Sequence, residues 1–184
     1  MKFFVALLHD GMVDKQGNNV TTSLTLIDLH DISRSCKTYG VTNFFIAHPS
    51  PHMRKLAHTL FEHWDLGYGA TYNSNRKDAL SILKITQNLQ DIIAEIDQIC
   101  GQPPLILAST AKDGENRLSF EDLRRDLNTL DQPQLLLLGS GWGMGEALLS
   151  HAHKILEPIS GPTDFNHLSV RSALAIMLDR IFCR

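Results

Sequence analysis

The glycine-rich stretch in the last quarter of the chain is the part of the sequence best suited to bind a small molecule. The apolar run Leu135 to Leu138 is followed by glycines at alternate positions, Gly139, Gly141 and Gly143. A buried strand that ends in glycines lets a ligand approach its backbone closely, because glycine has no side chain to stand between them. A tight turn without a ligand is the alternative.

The spacing of these glycines argues against a dinucleotide cofactor. A dinucleotide site needs G-x-G-x-x-G directly after an early strand, and here Met144 and Glu146 stand where a third glycine would be needed. A Rossmann-type nucleotide-binding protein stays open as an alternative, because a glycine turn after a strand is a weak signal by itself.

Histidine and aspartate side chains near the start of the chain could move a proton. His9 ends the first apolar run, and Asp28 and Asp31 lie in a polar stretch that follows it. Imidazole and carboxylate groups accept protons, so these residues are candidate proton acceptors or substrate contacts. The alternative is that they cap a strand end or the first turn of a helix.

The nine histidines and three cysteines form no metal-binding pattern. The closest histidine pairs are His151 with His153 and His58 with His63, and they match neither H-E-x-x-H nor a zinc-finger spacing. The cysteines are far apart and include no C-x-x-C pair, which argues against a disulfide framework and is typical of a reducing compartment. We expect no metal site and a cytoplasmic location.

Four short apolar runs predict the strands that position these residues. They are Phe3 to Leu8, Phe44 to Ala47, Leu105 to Ser109 and Leu135 to Leu138. Continuous apolar runs of this length are typical of strands buried on both faces of a parallel sheet. Helix-like stretches lie between them, and this βαβα order predicts an α/β fold with a mostly parallel sheet flanked by helices.

Three of the stretches between the strands carry helix start signals at Ser50, Asn88 and Ser119, and Gly101 is expected to end the second helix in the left-handed conformation. The first of these helices is expected to place four apolar residues on one face, Met53, Leu56, Leu60 and Phe61. A last helix, roughly Ser169 to Phe182, has an apolar face wider than one small sheet should need. We expect that face in a subunit interface.

The chain has 184 residues, of which 43% are hydrophobic, so it is long enough for one well-buried core and too short for two ordinary domains. We expect a single domain over residues 1–184. The apolar N-terminal run stops at His9, too early for a signal peptide, and no other stretch is long enough to span a membrane.

Taken in chain order, three segments resemble the motifs of the SPOUT superfamily, the α/β-knot RNA methyltransferases. They are Arg34 to Val41, Leu138 to Gly141 and His167 to Ala173. The run Asn166 to Ser172 is the most specific, and it resembles a bacterial branch whose members are described as predicted RNA methyltransferases. The resemblance covers most of the chain.

The resemblance implies a fold and an activity. The fold is a mostly parallel sheet flanked by helices, with a C-terminal trefoil knot. The activity is methyl transfer from S-adenosylmethionine to a nucleotide of tRNA or rRNA, carried out by a homodimer. A module that binds S-adenosylmethionine without catalysis is the alternative.

The resemblance also implies the residues of a cofactor site. Backbone groups at Gly139, Ile159 and Leu168 are expected to hold the adenosine part of the cofactor. The pocket is expected to be completed by Thr110, Gly141, Trp142, Gly143, His167 and Ser169. We expect Trp142 to cover this pocket or to pack at a subunit contact, because a solvated turn is a poor place for a tryptophan.

Arg34 matches the arginine of the first SPOUT motif, which in relatives lies at the dimer interface close to the partner's cofactor. A fixed guanidinium there is expected to grip a phosphate or to lower the pKa of the nucleophile. His9 and Asp31 are the accompanying catalytic candidates. The alternative is that Arg34 is an exposed helix residue paired with Asp28 or Asp31.

Two departures from ribose-methylating relatives leave the acceptor atom open. Ser169 stands where they carry an asparagine, and Trp142 follows the glycine motif where they have a glutamate. Both a ribose 2′-hydroxyl and a base atom are therefore possible acceptors.

The net charge of −3 gives no overall field that would attract RNA, so RNA binding must depend on a local basic surface. Tyr68 and Tyr72 precede the first basic pair and are suited to stacking on unpaired nucleotides. The candidate surface comprises Arg34, Lys37, Arg76, Lys77, Arg124, Arg125 and Arg171. A solvated helix face is the alternative.

Overall fold

A six-stranded sheet in which every neighbouring pair of strands is parallel forms the centre of the computed structural model, which describes residues 2–66 and 74–183. The spatial order of the strands is β5-β4-β1-β7-β6-β8. The strands are β1 (Phe3–Leu8), β4 (Asn43–Ala47), β5 (Leu83–Thr86), β6 (Leu105–Ala108), β7 (Gln134–Leu138) and β8 (Lys154–Ile155). The four predicted strands are confirmed and hold the four central positions of the sheet.

The strands that the apolar runs did not predict are short or lie at the sheet edges. β5 and β8 are the two edge strands, and β5 carries the exposed Lys84. β2 (Met12–Val13) and β3 (Asn19–Val20) form a separate antiparallel hairpin between β1 and the first helix. Strands of two residues are too short to leave a periodic signal in the sequence.

Seven helices lie in the described part of the chain. They are α1 (Leu26–Thr38), α2 (Pro51–Asp65), α3 (Ser74–Leu80), α4 (Leu89–Cys100), α5 (Phe120–Thr129), α6 (Glu146–Leu149) and α7 (Val170–Phe182). The predicted caps of α4 are confirmed, because Asn88 Oδ1 accepts from the Asp91 N–H at 2.9 Å and Gly101 has a φ of 75°. Ser119 caps α5 by accepting from the Asp122 N–H at 3.0 Å.

The predicted apolar face of α2 is wrong at one position. Leu56 is 42% exposed, whereas the neighbouring Ala57 is fully buried in the core. Met53, Leu60 and Phe61 do pack on that core. Ser50 precedes the helix in an extended conformation, but its side chain makes no capping hydrogen bond.

Residues of the central strands alternate between two cores, one on each face of the sheet. Phe3, Val5 and Leu7 point to the core that α1, α2, α5 and α7 cover. Phe4 and Leu8 point to the opposite core, which α4 and α6 cover. Because both faces are covered, the sheet is buried and its carboxyl edge is left for a ligand.

The apolar face of α7 is used inside the protein. Leu174, Met177, Leu178 and Ile181 are all buried in the first core, and α7 packs against α1 and α5. The expectation that this face supplies a subunit interface is therefore wrong, because the sheet and the two neighbouring helices cover it. None of the described helices is long and apolar enough to cross a membrane.

Candidate functional site

Two of the segments that carry predicted cofactor residues are in direct contact, the loop after β6 and the loop before α7. The side-chain amide of Asn166, in the loop before α7, donates to the carbonyl of Ala111, in the loop after β6, at 3.0 Å. The loop after β6 is also joined to β7, because the backbone N–H and the hydroxyl of Ser109 both donate to the Leu137 carbonyl. These contacts bring the loops together at the carboxyl edge of the sheet.

The segment after β8 lies between β6 and a later part of the loop that leaves β6. On one side, the Leu156 N–H donates to the Ala108 carbonyl at 2.9 Å. On the other side, the Leu118 N–H donates to the Ile155 carbonyl at 2.8 Å, and the Glu157 N–H donates to the Leu118 carbonyl at 2.9 Å. The chain therefore passes between β6 and the stretch around Leu118.

The glycine turn, Gly139 to Gly145, is fixed by the β2–β3 hairpin. The Val13 N–H donates to the Gly143 carbonyl at 2.9 Å, and the Gly145 N–H donates to the Gly11 carbonyl at 2.8 Å. Gly141 and Gly143 have φ values of 62° and 101°, which favour glycine.

Glycine is needed at position 139 for a different physical reason from the one predicted. A Cβ atom at Gly139 would lie 2.8 Å from Met144 Cγ, so a side chain there would clash with the protein itself. A Cβ atom at Gly143, in contrast, would have no atom of the described residues within 4 Å, so the backbone of that residue is open.

The remaining predicted cofactor residues lie around these loops. Trp142 is 56% exposed and Leu168 45% exposed. His167 is exposed and packs edge-to-face on Phe165. Thr110 and Ile159 are half-buried. Ser169 caps α7 by accepting from the Ser172 N–H at 3.3 Å. All belong to the two loops and the glycine turn, at one edge of the sheet.

His9 is buried directly beneath that edge. Its Nδ1 lies 3.1 Å from the Thr22 hydroxyl, and its ring lies tilted beside that of His48 with 5.3 Å between centroids. Its Nε2 is buried and has no hydrogen-bond partner within residues 2–66 and 74–183. Burial, with the neighbouring His48 adding to it, lowers the pKa of His9 to about 4, so the ring is neutral at neutral pH.

Thr22 connects His9 to the glycine turn. Its hydroxyl makes a short hydrogen bond with the Ser140 hydroxyl, and its carbonyl accepts from His48 Nε2 at 3.1 Å. His48 Nδ1 accepts from the Ser50 N–H, which fixes the tautomer. Sequence reasoning missed Thr22 and His48. His48 directly follows β4 as His9 follows β1, and that parallel could have revealed it.

Arg171 joins α7 to α1. Its Nη1 lies 3.1 Å from Asp28 Oδ1 and its Nε 3.5 Å from Asp31 Oδ2. Asp28 is buried, and its other oxygen accepts from the Thr25 hydroxyl. We call His9, Thr22, Asp28, His48, Ser140 and Arg171 the enclosed cluster.

Arg34 lies on the exposed side of α1, and no carboxylate in the described part of the chain pairs with its guanidinium. The alternative in which Asp28 or Asp31 neutralises Arg34 is wrong, because Arg171 holds both carboxylates. The positive charge of Arg34 acts on His30. Burial makes the largest contribution to the lowered pKa of His30, and the charges of Arg76 and Arg34 lower it further.

Most of the predicted basic surface is neutralised within the protein. Lys37 pairs with Asp78, Lys77 with Asp65, and Arg125 with Glu121 and Asp122, whereas Arg124 donates to the carbonyls of Ile181 and Arg180. Arg76 lies over the Trp64 ring at 4.3 Å, and His30 and His63 contact the edges of the same ring system. Tyr68 and Tyr72 are outside the described residues.

A family model described as SAM-dependent RNA methyltransferase matches residues 2–183. The chain belongs to this family. It is 34% identical over 181 residues to an uncharacterized protein of Aquifex aeolicus, a match that covers 98% of this chain and 88% of that protein. It is 36% identical over 178 residues to a tRNA (guanine-N(1)-)-methyltransferase of Oleidesulfovibrio alaskensis, of which it spans 41%.

Solved methyltransferase structures share the fold. A probable methyltransferase from Bordetella pertussis matches with a TM-score of 0.60 at 18% identity, over 98% of this chain and 92% of that one. The SpoU methyltransferase AviRb from Streptomyces viridochromogenes, in complex with S-adenosylmethionine, matches with a TM-score of 0.56 at 14% identity, over 97% of this chain and 56% of that one. The predicted SPOUT fold, a mostly parallel sheet flanked by helices, is confirmed.

The loops at the carboxyl edge fit the S-adenosylmethionine that this methyltransferase family uses. The open backbone at Gly143 leaves room for a ligand to approach, and the exposed apolar side chains of Trp142 and Leu168 offer surfaces for an adenine ring. Among the described residues, no group of three or more His, Cys, Asp or Glu side chains could hold a metal ion.

Proposed function

We propose that this chain transfers a methyl group from S-adenosylmethionine to a nucleotide of tRNA or rRNA. The observation that carries the proposal is that the loops after β6 and before α7 meet at the sheet edge where the glycine turn begins, in a chain of the SAM-dependent RNA methyltransferase family. The tRNA (guanine-N(1)-)-methyltransferase relative supports an RNA acceptor.

The cofactor site in this proposal is a cradle formed by those three segments. Backbone groups of Gly139, Ile159 and Leu168 bind the adenosine, and the side chains and turns around them enclose it. The lining residues are Thr110, Gly141, Trp142, Gly143, His167 and Ser169. The passage of the chain between β6 and Leu118 supports a C-terminal trefoil knot, which would hold these loops in place.

S-adenosylmethionine supplies a methyl group bound to a sulfonium. During transfer, the acceptor oxygen or nitrogen forms a bond to the methyl carbon as the carbon–sulfur bond breaks, and the acceptor loses its proton. Arg34 has the charge and exposure to bind an RNA phosphate or to lower the pKa of the acceptor. Asp31 is partly exposed and is the proposed proton acceptor, with one carboxylate oxygen held by Arg171.

His9 stays a predicted catalytic residue in this scheme, although it is enclosed beneath the edge. In the tautomer in which Nδ1 donates to the Thr22 hydroxyl, Nε2 carries no hydrogen and could accept a proton, but substrate would reach it only if the segment around Thr22 moved. A direct role for His9 therefore requires an opening of the enclosed cluster.

We propose a homodimer whose interface includes the carboxyl edge. Among the described residues, five large apolar side chains are exposed there, at the start of α1, in the glycine turn and in the loop before α7: Leu26, Ile27, Trp142, Phe165 and Leu168. Exposed apolar surface of this kind marks an interaction site. A second copy would cover these residues and bring the Arg34 of one protomer toward the cradle of its partner.

The RNA in this proposal docks on the face that carries Arg34, Arg76 and Trp64. Cations beside aromatic rings bind phosphates and stack on unpaired bases. We further propose that the protein acts as one domain over residues 1–184, in the cytoplasm and without a metal ion.

The experiment that tests the proposal uses purified protein, labelled S-adenosylmethionine and total RNA from a strain that lacks this gene. We expect label to enter RNA from that strain and not RNA from the parent, whose sites are already methylated. Transfer of no label to either RNA, with S-adenosylhomocysteine bound normally, would instead support a non-catalytic binding module.

A further inference from the structure

A cavity opens at the carboxyl edge of the sheet, on the face opposite to the enclosed cluster, and we call it the second cavity to separate it from the proposed donor site. Its volume is about 210 Å³. Its apolar walls include Leu8 at the end of β1, Ala47 at the end of β4 and Leu148 of α6. Gly11 also lines it and accepts the hydrogen bond from Gly145, so the cavity adjoins the glycine turn.

The size of this cavity limits what it can hold. Sites for drug-sized ligands and cofactors measure roughly 300–1,000 Å³. A cavity of about 210 Å³ is too small for S-adenosylmethionine and has room for one small ring system. It is therefore distinct from the proposed methyl-donor site.

The charge of the lining favours an uncharged group, such as a base, over a phosphate inside the cavity. Among the described residues, Asp10 is the one carboxylate on the wall, His151 is a further titratable group there, and no lysine or arginine lines the cavity. Asp10 Oδ1 accepts from the Thr21 hydroxyl at 2.8 Å, and its other oxygen is available to accept from a ligand. A neutral ligand that carries N–H donors suits this wall.

Side-chain amides give the same wall both donors and acceptors. Gln87, Asn88 and Gln90 line the cavity where α4 begins. Asn88 Oδ1 is used to cap α4, but its NH₂ group is left to donate. Carboxylate and amide groups around an apolar slot are the groups that read the hydrogen-bonding edges of nucleobases.

We propose that the second cavity binds one unpaired nucleobase of RNA, with N–H donors of the base on Asp10 and its acceptors on the amides of Gln87 and Gln90. A base such as guanine, which presents adjacent N–H donors, fits best. The inference depends on the proposed function in that the base belongs to the RNA that is methylated. The cavity would hold a nucleotide near the one that receives the methyl group.

The test is a titration of labelled protein with guanosine monophosphate, followed by NMR of the side-chain amides. Saturating S-adenosylhomocysteine occupies the donor site first. We expect the amide signals of Gln87 and Gln90 to shift in a saturable way. Inosine monophosphate, which lacks the exocyclic amine, should bind more weakly. Asp10→Asn should lower the affinity for guanosine monophosphate about tenfold, the effect of losing a hydrogen bond to a charged group.

Two further variants keep the test decisive if Asp10→Asn unfolds. Gln90→Leu should also weaken binding, whereas Gln98→Leu, an exposed residue farther along α4, should leave it unchanged. The proposal is overturned if no saturable shift occurs, if the shifts are confined to the glycine turn and its neighbouring loops, or if Gln90→Leu binds as wild type does. Failure of S-adenosylhomocysteine to bind would instead refute the proposed donor site, and the nucleotide titration would still report on the cavity.

Discussion

The candidate site residues fall into two groups with different environments. In the enclosed cluster, Arg171 is held by two carboxylates and His9 is buried and neutral. On the outer rim, which we define as Arg34, Trp142, His167 and Leu168, the side chains are exposed.

This difference shows that Arg34 on α1 and Arg171 on α7, two helices that pack together, have separate roles. By holding Asp28 and Asp31, Arg171 ties the helices together and leaves Arg34 without a carboxylate partner among the described residues. We therefore expect substitutions in the rim to change methyl transfer and substitutions in the enclosed cluster to change stability.

The largest effect is expected for Arg34→Ala. Loss of a charged group that acts in the transition state lowers rates by roughly 10²–10⁴-fold. The melting temperature and the affinity for S-adenosylhomocysteine should stay near wild type, because the side chain is exposed and unpaired within the described chain. The measurements are single-turnover methyl transfer and calorimetric titration. A variant that transfers methyl at the wild-type rate would remove Arg34 from the mechanism.

His9→Gln should change how stability depends on pH. In the folded protein His9 stays neutral down to about pH 4, whereas the unfolded chain binds the proton near pH 6.5. Stability is therefore lost as pH falls from 6.5 to 4, by about 3 kcal/mol for this group. The titratable groups that face His9 are His48 and Asp28. Because the pKa of His48 is also lowered, its protonation reduces stability as the pH falls, in the same direction as that of His9.

Denaturant unfolding at several pH values checks this prediction. His9→Gln should lose less free energy of unfolding than wild type over that pH range. The control is His58→Gln, an exposed residue on α2, which should keep the wild-type slope. Equal slopes for wild type and His9→Gln would mean that His9 is not buried as described.

Arg171→Gln should destabilise the protein by about 1–3 kcal/mol, between the values for exposed and buried ion pairs, because Asp28 is left buried without its partner. The freed Asp31 lies one helical turn from Arg34, so a new pair should reduce methyl transfer about twofold. Arg125→Gln, which breaks only exposed pairs on α5, is the matched control. Unfolding curves that coincide for the two variants would contradict the structural role of Arg171.

The smallest overall effect is expected for Trp142→Ala. An exposed side chain contributes within about 0.5 kcal/mol. Loss of an aromatic contact should weaken S-adenosylhomocysteine binding about threefold to tenfold if the ring covers the cradle. Ile99→Ala, which removes a comparably exposed residue at the end of α4, is the control. Unchanged binding together with a weaker dimer would assign Trp142 to the subunit contact instead.

The central fold was predictable because its signals are local. The four buried strands are continuous apolar runs, and the caps of α4 and α5 depend on residues within one turn. The edge strands β5 and β8 and the β2–β3 hairpin were not predictable, because short or edge strands leave no apolar run. The exposed Leu56 shows the same limit. Which residues of α2 are buried depends on the part of the protein that packs against the helix, and the sequence of α2 alone does not show this.

The candidate site was only partly predictable. Motif residues identified the loops, and two of them, after β6 and before α7, are in contact. The pairing of Arg171 with Asp28 joins residues far apart in sequence, so charge counting placed Arg171 on an RNA surface. The role of Thr22 could not be predicted for a similar reason. Its hydroxyl reaches His9 and Ser140 only after the chain has folded.

The central claim is that the exposed rim carries out RNA methylation around Arg34. Mass spectrometry of nucleosides from a strain that lacks this gene tests it most directly. We predict that one methylated nucleoside is missing, that the wild-type gene restores it and that Arg34→Ala does not. An unchanged set of modified nucleosides, or full restoration by Arg34→Ala, would contradict the account.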